Sequence, residues 1–246
     1  MQTTVLRTIC CSCFVLFAAC QFKSDDLEIS ANRAASTLQP EVTKTEASTS
    51  IPASDCAPPT VDGSITSGEW DQAIIRKFKD GSELLILQLE KSLFLAIRAS
   101  GSETITGNVY LAQDGKIEIL HTSAALGTAI YEQQGDNWLL MQGYEWCCRG
   151  TMDSERARSE RDQLHETSGW LGINSRFGEP NVLEYQIELH TSPIKMAVGF
   201  LSSSDVENML TFPPELDDDA IRPMPNGPPD VVKFHPDTWA IVEIID

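Results

Sequence analysis

Hydrophobic and polar positions divide the chain into three stretches. A short apolar run from Thr8 to Ala19 opens it, too brief to cross a bilayer. Residues 20–57 are rich in Ser, Thr, Ala, Glu and Pro and poor in large apolar side chains. They cannot bury enough surface to offset ordering entropy, so this stretch is predicted to be a disordered tether. From residue 58 to 246 apolar residues recur at strand spacing. Leu84–Leu89 and Leu93–Ile97 are nearly continuous apolar runs, the pattern of central strands covered on both faces, with Lys91 and Ser92 as the turn between them. Val109–Ala112 and Lys116–His121 flank Asp114-Gly115, a strong two-residue hairpin signal. Leu183, Tyr185, Ile187 and Leu189 alternate with Glu184, Gln186 and Glu188, as in a half-buried strand. Met196–Leu201 and Trp239–Ile245 read as the last strands. The pattern predicts an all-β fold, an antiparallel β-sandwich over residues 58–246.

Two helices interrupt the strands. Thr66-Ser67-Gly68-Glu69 has capping-box spacing, and Trp70, Ala73 and Ile74 follow on one face, predicting a short N-terminal helix. Met152–Thr167 is strongly charged and carries spaced opposite charges such as Glu155, Arg158, Arg161 and Asp162, predicting an inserted surface helix. Residues 213–236 hold many prolines and the run Asp217-Asp218-Asp219, and form a long loop.

The opening stretch carries a second message. Leu16-Phe17-Ala18-Ala19-Cys20 resembles a bacterial lipoprotein signal, in which small residues precede a cysteine that is cut free and lipidated. The resemblance implies residues 1–19 as signal peptide, export, palmitate-type acylation at Cys20 and anchorage in the cell envelope. Gln21 in place of Asp favours the outer membrane where the cell has one. An ordinary secretory leader cut near Ala19 shares these features without the lipid. Each buried acyl methylene contributes about 0.8 kcal/mol, so two or more chains anchor stably. A tether of this composition spans roughly 35 Å and lifts the folded part off the lipid.

The 246-residue chain is 41% hydrophobic, enough for one packed domain, and its formal net charge is -18. That charge argues against nucleic acid and anionic headgroups as partners. Cys10, Cys11 and Cys13 lie in the leader. With Cys20 acylated, Cys56, Cys147 and Cys148 remain, so one disulfide and one free thiol is the simplest count. Cys56 paired with Cys147 or with Cys148 is expected ahead of a link between the two neighbours. Among Cys56, Cys147 and Cys148 no Cys-x-x-Cys spacing is present to hold a metal.

Val61-Asp62-Gly63, then Gly68-Glu69-Trp70 and Ala73, resembles the opening of family 9 carbohydrate-binding-module-like (DOMON-like) domains. Leu93-Phe94-Leu95-Ala96-Ile97 resembles the strand that follows in that family, and Glu184-Tyr185-Gln186-Ile187-Glu188-Leu189 a late strand. The resemblance covers residues 58–246. It implies a β-sandwich of secreted or envelope proteins, serving as a sugar-binding module or carrying no assigned ligand.

Sugar binding needs flat aromatics with amides or carboxylates beside them. Trp146, Trp138 and Trp170 are the candidates, with Glu145 and Asn137 adjacent to two of them, and Trp146 is favoured for its polar neighbour and the cysteine pair. Related sandwiches hold haem between a Met and a His, roles open here to Met141 and His121, but no cofactor is expected. Asp217–Asp219 offers oxygen ligands for calcium, although acidic loops are usually just solvated. No Gly-x-Ser-x-Gly, His-Glu-x-x-His or phosphate-loop motif occurs, so no enzyme is expected. The expected function is a non-catalytic, membrane-anchored lipoprotein binding glycan. The alternative is a structural or assembly lipoprotein that uses the sandwich as a protein-binding face.

Overall fold

The structure is a computed structural model that describes residues 57–148, 155–173, 178–190, 193–214, 216, 218 and 220–243. The two continuous apolar runs become β2 (Glu83–Leu89) and β3 (Ser92–Arg98), paired antiparallel from Glu83 opposite Arg98 to Leu89 opposite Ser92. Five successive side chains in each are buried, because both faces of this sheet are covered. β1 (Ile74–Lys77) flanks β2, while β9 (Val182–Glu188) and β8 (Trp170–Ile173) extend the other side, giving the order β1-β2-β3-β9-β8.

The second sheet starts from the Asp114-Gly115 hairpin. Both turn residues take positive φ, 48° and 74°, which matches the twist of the strands they join. Those strands are β4 (Ile105–Gln113) and β5 (Lys116–Thr122). They are joined by β6 (Leu126–Gln134), β7 (Asn137–Cys147), β10 (Ile194–Ser202), β11 (Asp205–Phe212) and β12 (Val231–Val232) in the order β11-β10-β4-β5-β6-β7-β12. β13 (Ala240–Val242) pairs with β10 at Ile194–Met196, beyond the end of β11 on the same edge. Every pairing is antiparallel.

The two sheets face each other across a core in which Leu93, Leu95, Ile97, Leu183 and Tyr185 meet Val109, Leu120, Val198 and Phe200. The fold is therefore an all-β antiparallel sandwich. Two further apolar layers lie outside it. Trp70 covers Leu85, Leu87, Phe94 and Ala96 on the outer face of the first sheet. The chain after β11 returns over the outer face of the second sheet and lays Ala220, Ile221, Phe234 and Trp239 on Tyr110, Ile117, Ile119, Tyr131 and Trp138. Each such large side chain taken from water contributes about 1.5–3 kcal/mol.

Local differences from the sequence reading have physical causes. The expected N-terminal helix is a series of turns. Thr66 N and Oγ1 do donate to Glu69 Oε2, at 3.3 and 3.0 Å, but Gly68 takes φ 89° and leaves the helical path. The inserted helix is α1 (Glu155–Ser168), and Met152–Ser154 of the predicted span lie outside the described residues. The helix buries Ala157 and rests Leu164 on the main core, and Arg156 bonds Glu160 at 2.8 Å. Glu184 does not face solvent as strand alternation predicts, because the opening turn at Asp62-Gly63 covers it. The last strand is shorter than Trp239–Ile245. Cys147 bonds Cys148, not Cys56. At the end of β7 Cys148 takes φ 57°, which turns the chain and brings adjacent sulfurs together. Cys20, Cys56, the signal peptide and the tether up to residue 56 lie outside the described residues, as do Asp217 and Asp219. Among the described residues no helix is long and apolar enough to cross a membrane.

Candidate functional site

The returning segment covers the outer face of the second sheet only in part, and a groove of about 740 Å³ begins where it stops. The floor is one transverse row of the sheet. Register places Thr211 opposite Gly199, Gly199 opposite Asn108, Asn108 opposite His121, His121 opposite Gly127 and Gly127 opposite Trp146. Residues aligned across neighbouring strands share a face, so the row carries a polar centre between two glycines.

Those glycines make the walls possible. A β-carbon at Gly127 would come within 2.9 Å of Trp146 Cε3 and 3.2 Å of Tyr144 Cδ1. One at Gly199 would come within 2.6 Å of Met209 Sδ. The missing side chains let the indole and the thioether lie down on the backbone. Tyr144 and Trp146, two apart on β7, form an aromatic shelf with centroids 4.9 Å apart. Pro223, Met224 and Pro225 of the returning segment line the groove as well.

The centre is ordered by hydrogen bonds. Asn108 Nδ2 donates to the buried Tyr110 hydroxyl at 3.1 Å, and Asn108 Oδ1 lies 2.7 Å from His121 Nδ1. Burial drives the His121 imidazole down to about 4, so it is neutral at neutral pH. Its ring centroid stands 5.2 Å from Tyr144 and 5.4 Å, edge-on at 90°, from Trp146. Glu207 is the one charged residue among the described residues lining the groove.

Of the candidates named from sequence, Trp146 belongs to this site, with 42% of its surface exposed. Trp138 is core, its Nε1 donating to Phe234 O at 3.2 Å, and Trp170 is core, its Nε1 donating to Thr128 Oγ1 at 2.9 Å. Glu145 points to the opposite face of β7, where it accepts from Gln142 and lines the cleft toward α1. Asn137 sits at the far end of β7, nine residues and roughly 30 Å from Trp146. Met141 is 56% exposed outside the groove, so the Met141–His121 pairing is not formed. Asp218 spends its carboxylate on the protein: Oδ1 accepts from Ala220 N, and Oδ2 from His235 N and Trp239 Nε1. It fastens the returning segment and is no free calcium ligand.

The sequence reading missed Tyr144, Asn108, Met209, Met224 and the two glycines. Tyr144-Glu145-Trp146 carries a signal, since aromatics two apart share a strand face. Asn108 and His121 carry another, standing six residues before Asp114 and six after Gly115. No protein-family model, no curated protein and no solved structure matches the chain.

Proposed function

We propose that the chain is a non-catalytic, lipid-anchored protein of the bacterial envelope whose sandwich binds a glycan in this groove. The observation that carries the reading is the shelf of half-buried Tyr144 and exposed Trp146 beside the Asn108–His121 pair. A pyranose presents a flat apolar face and a rim of hydroxyls. Stacking on the indole removes the face from water, and the amide and imidazole meet the rim. The resemblance of the Val61-Asp62-Gly63 opening to carbohydrate-binding-module-like domains, and of Leu16–Cys20 to a lipoprotein signal, supports the same reading. Among the described residues a single carboxylate lines the groove, whereas most glycoside hydrolases use two, which favours binding over cleavage.

The test is tryptophan emission and acrylamide quenching of the full chain in detergent, titrated with a glycan panel. A saturable protection that disappears in Trp146→Ala supports the proposal. Unchanged quenching across the panel rejects it. Protection by apolar peptides instead would favour the alternative of a protein-binding face, for which the exposed Val206 beside Met209 and Met224 speaks.

A further inference from the structure

We infer that the groove selects an uncharged sugar ring by accepting a hydrogen bond from one of its hydroxyls at His121 Nε2. This rests on the glycan reading above and adds which hydrogen-bond direction and which charge class the site accepts.

The argument starts at Tyr110. Its fully buried hydroxyl takes the amide nitrogen of Asn108, which turns the Asn108 carbonyl toward His121. A carbonyl only accepts, so the facing Nδ1 of His121 must carry the proton. A neutral imidazole has one N–H, which leaves Nε2 as a lone pair. Burial keeps the ring neutral, with the carboxylate of Glu207 on β11 as the one charge that the described residues bring to the groove around it. Tyr144 from β7 and Asn108 and Tyr110 from β4 bring no charge at neutral pH.

Nε2 has no protein partner among the described residues and is not sealed from solvent. It therefore stands as an unspent acceptor in the wall of a groove. Gly127 lies between His121 and Trp146 in the register, so the indole lies over the glycine and meets the imidazole edge to face with no other side chain between them. A ring resting on the indole at van der Waals distance, ~3.5–4 Å, brings its rim hydroxyls toward an imidazole whose centroid is 5.4 Å away. Among the described residues no Lys or Arg lines the groove, and Glu207 does. A uronic acid or phosphorylated sugar finds no cation there and meets a like charge.

The experiment has two arms on the full chain. The first needs no ligand. Nitrogen-15 NMR of histidine-labelled protein, with the His121 signal assigned by its loss in His121→Gln, reads the tautomer. Protonation at Nδ1 is expected, and protonation at Nε2 overturns the inference. The second arm titrates methyl glycosides of glucose, galactose, mannose and N-acetylglucosamine, their monodeoxyfluoro analogues, and methyl glucuronide. Fluorine accepts but cannot donate. One fluoro position is expected to weaken binding about fivefold, the worth of one neutral hydrogen bond. Asn108→Asp sets a carboxylate against the imidazole, protonates it and makes Nε2 a donor, so the same fluoro analogue regains its loss. Methyl glucuronide is expected to bind more weakly than its neutral parent. Glycosides that protect Trp146 while every fluoro analogue binds equally well, or a glucuronide that binds best, overturn the inference and leave the glycan reading standing. No protection by any glycoside overturns both.

Discussion

Glu184 makes the stability of this sandwich fall as pH rises from the acid side to neutrality. Its side chain is fully buried. Oε2 accepts from the backbone N–H of Asp62 at 3.0 Å and of Gly63 at 2.6 Å, and Oε1 has no partner. Burial raises its carboxyl from the ordinary 4.5 to about 7. The Gly63 and Asp62 amides pull it down, and the Asp62 and Glu69 charges push it further up. Between those pH values the folded chain holds a proton that the unfolded chain has released. The unfolding free energy therefore falls with rising pH. The contribution is full below pH 4.5 and is lost by the time pH has passed 7. At about 1.4 kcal/mol per pH unit, the interval amounts to about 3 kcal/mol. The perturbation is Glu184→Gln, which keeps an oxygen for both amides and cannot ionise. Urea unfolding of the native chain and the variant from pH 4.5 to 8 gives the two curves, and their difference cancels every other titrating group. Native stability is expected to fall relative to the variant by about 3 kcal/mol across the window. Parallel curves, or a native chain that gains on the variant as pH rises, would refute the reasoning.

Three further outcomes follow from the same coordinates. Gly127→Ala puts a methyl where Trp146 Cε3 lies at 2.9 Å, so the half-exposed indole must shift off the sheet. Unfolding should shift by less than about 1 kcal/mol while glycan protection of Trp146 is lost; unchanged protection would deny the glycine its role as floor. Asp218→Ala strips the acceptor from three N–H groups and should cost about 2–4 kcal/mol in denaturant unfolding. A cost under about 1 kcal/mol would mean that the returning segment is held by its apolar contacts alone. Trp146→Ala should remove nearly all acrylamide-accessible emission, since Trp70, Trp138, Trp170 and Trp239 are each 5% exposed or less. Substantial residual quenching would show that one of these four opens to solvent.

Much of the sandwich was legible because its strongest signals are local. Leu84–Leu89 and Leu93–Ile97 announced strands covered on both faces, and Asp114-Gly115 announced a primed turn. The turn also fixes that Asn108 stands across from His121, so half of the groove's centre was readable in principle. β7 was harder, because register shifts opposite it between Thr128 and Tyr131 blur the alternation. Trp138 and Trp146 lie on the same face of that strand, and nothing local separates them. What does is Phe234, nearly a hundred residues away, which roofs Trp138 and stops short of Trp146. Coverage by a distant segment leaves no mark on the pattern it covers. Glu184 failed for the same reason: alternation assigned it to solvent, and the turn at Asp62-Gly63 arrived from elsewhere in the chain. The N-terminal helix failed for a local one, since capping-box bonds form at Thr66 while Gly68 diverts the backbone.

The bond between Cys147 and Cys148 joins residues one apart in the chain. A cross-link stabilises a fold chiefly by shrinking the unfolded ensemble, and that effect grows with the length of the loop it closes. Neighbours close no loop, so this link lacks the usual contribution of about 2–4 kcal/mol. The two sheets are held by their packed cores whether the sulfurs are joined or not. Breaking the bond acts on the path of a few residues at the end of β7, beside the indole of Trp146. A change in redox surroundings is thus felt first at one rim of the groove, and the link adds no loop-closure term to the sandwich.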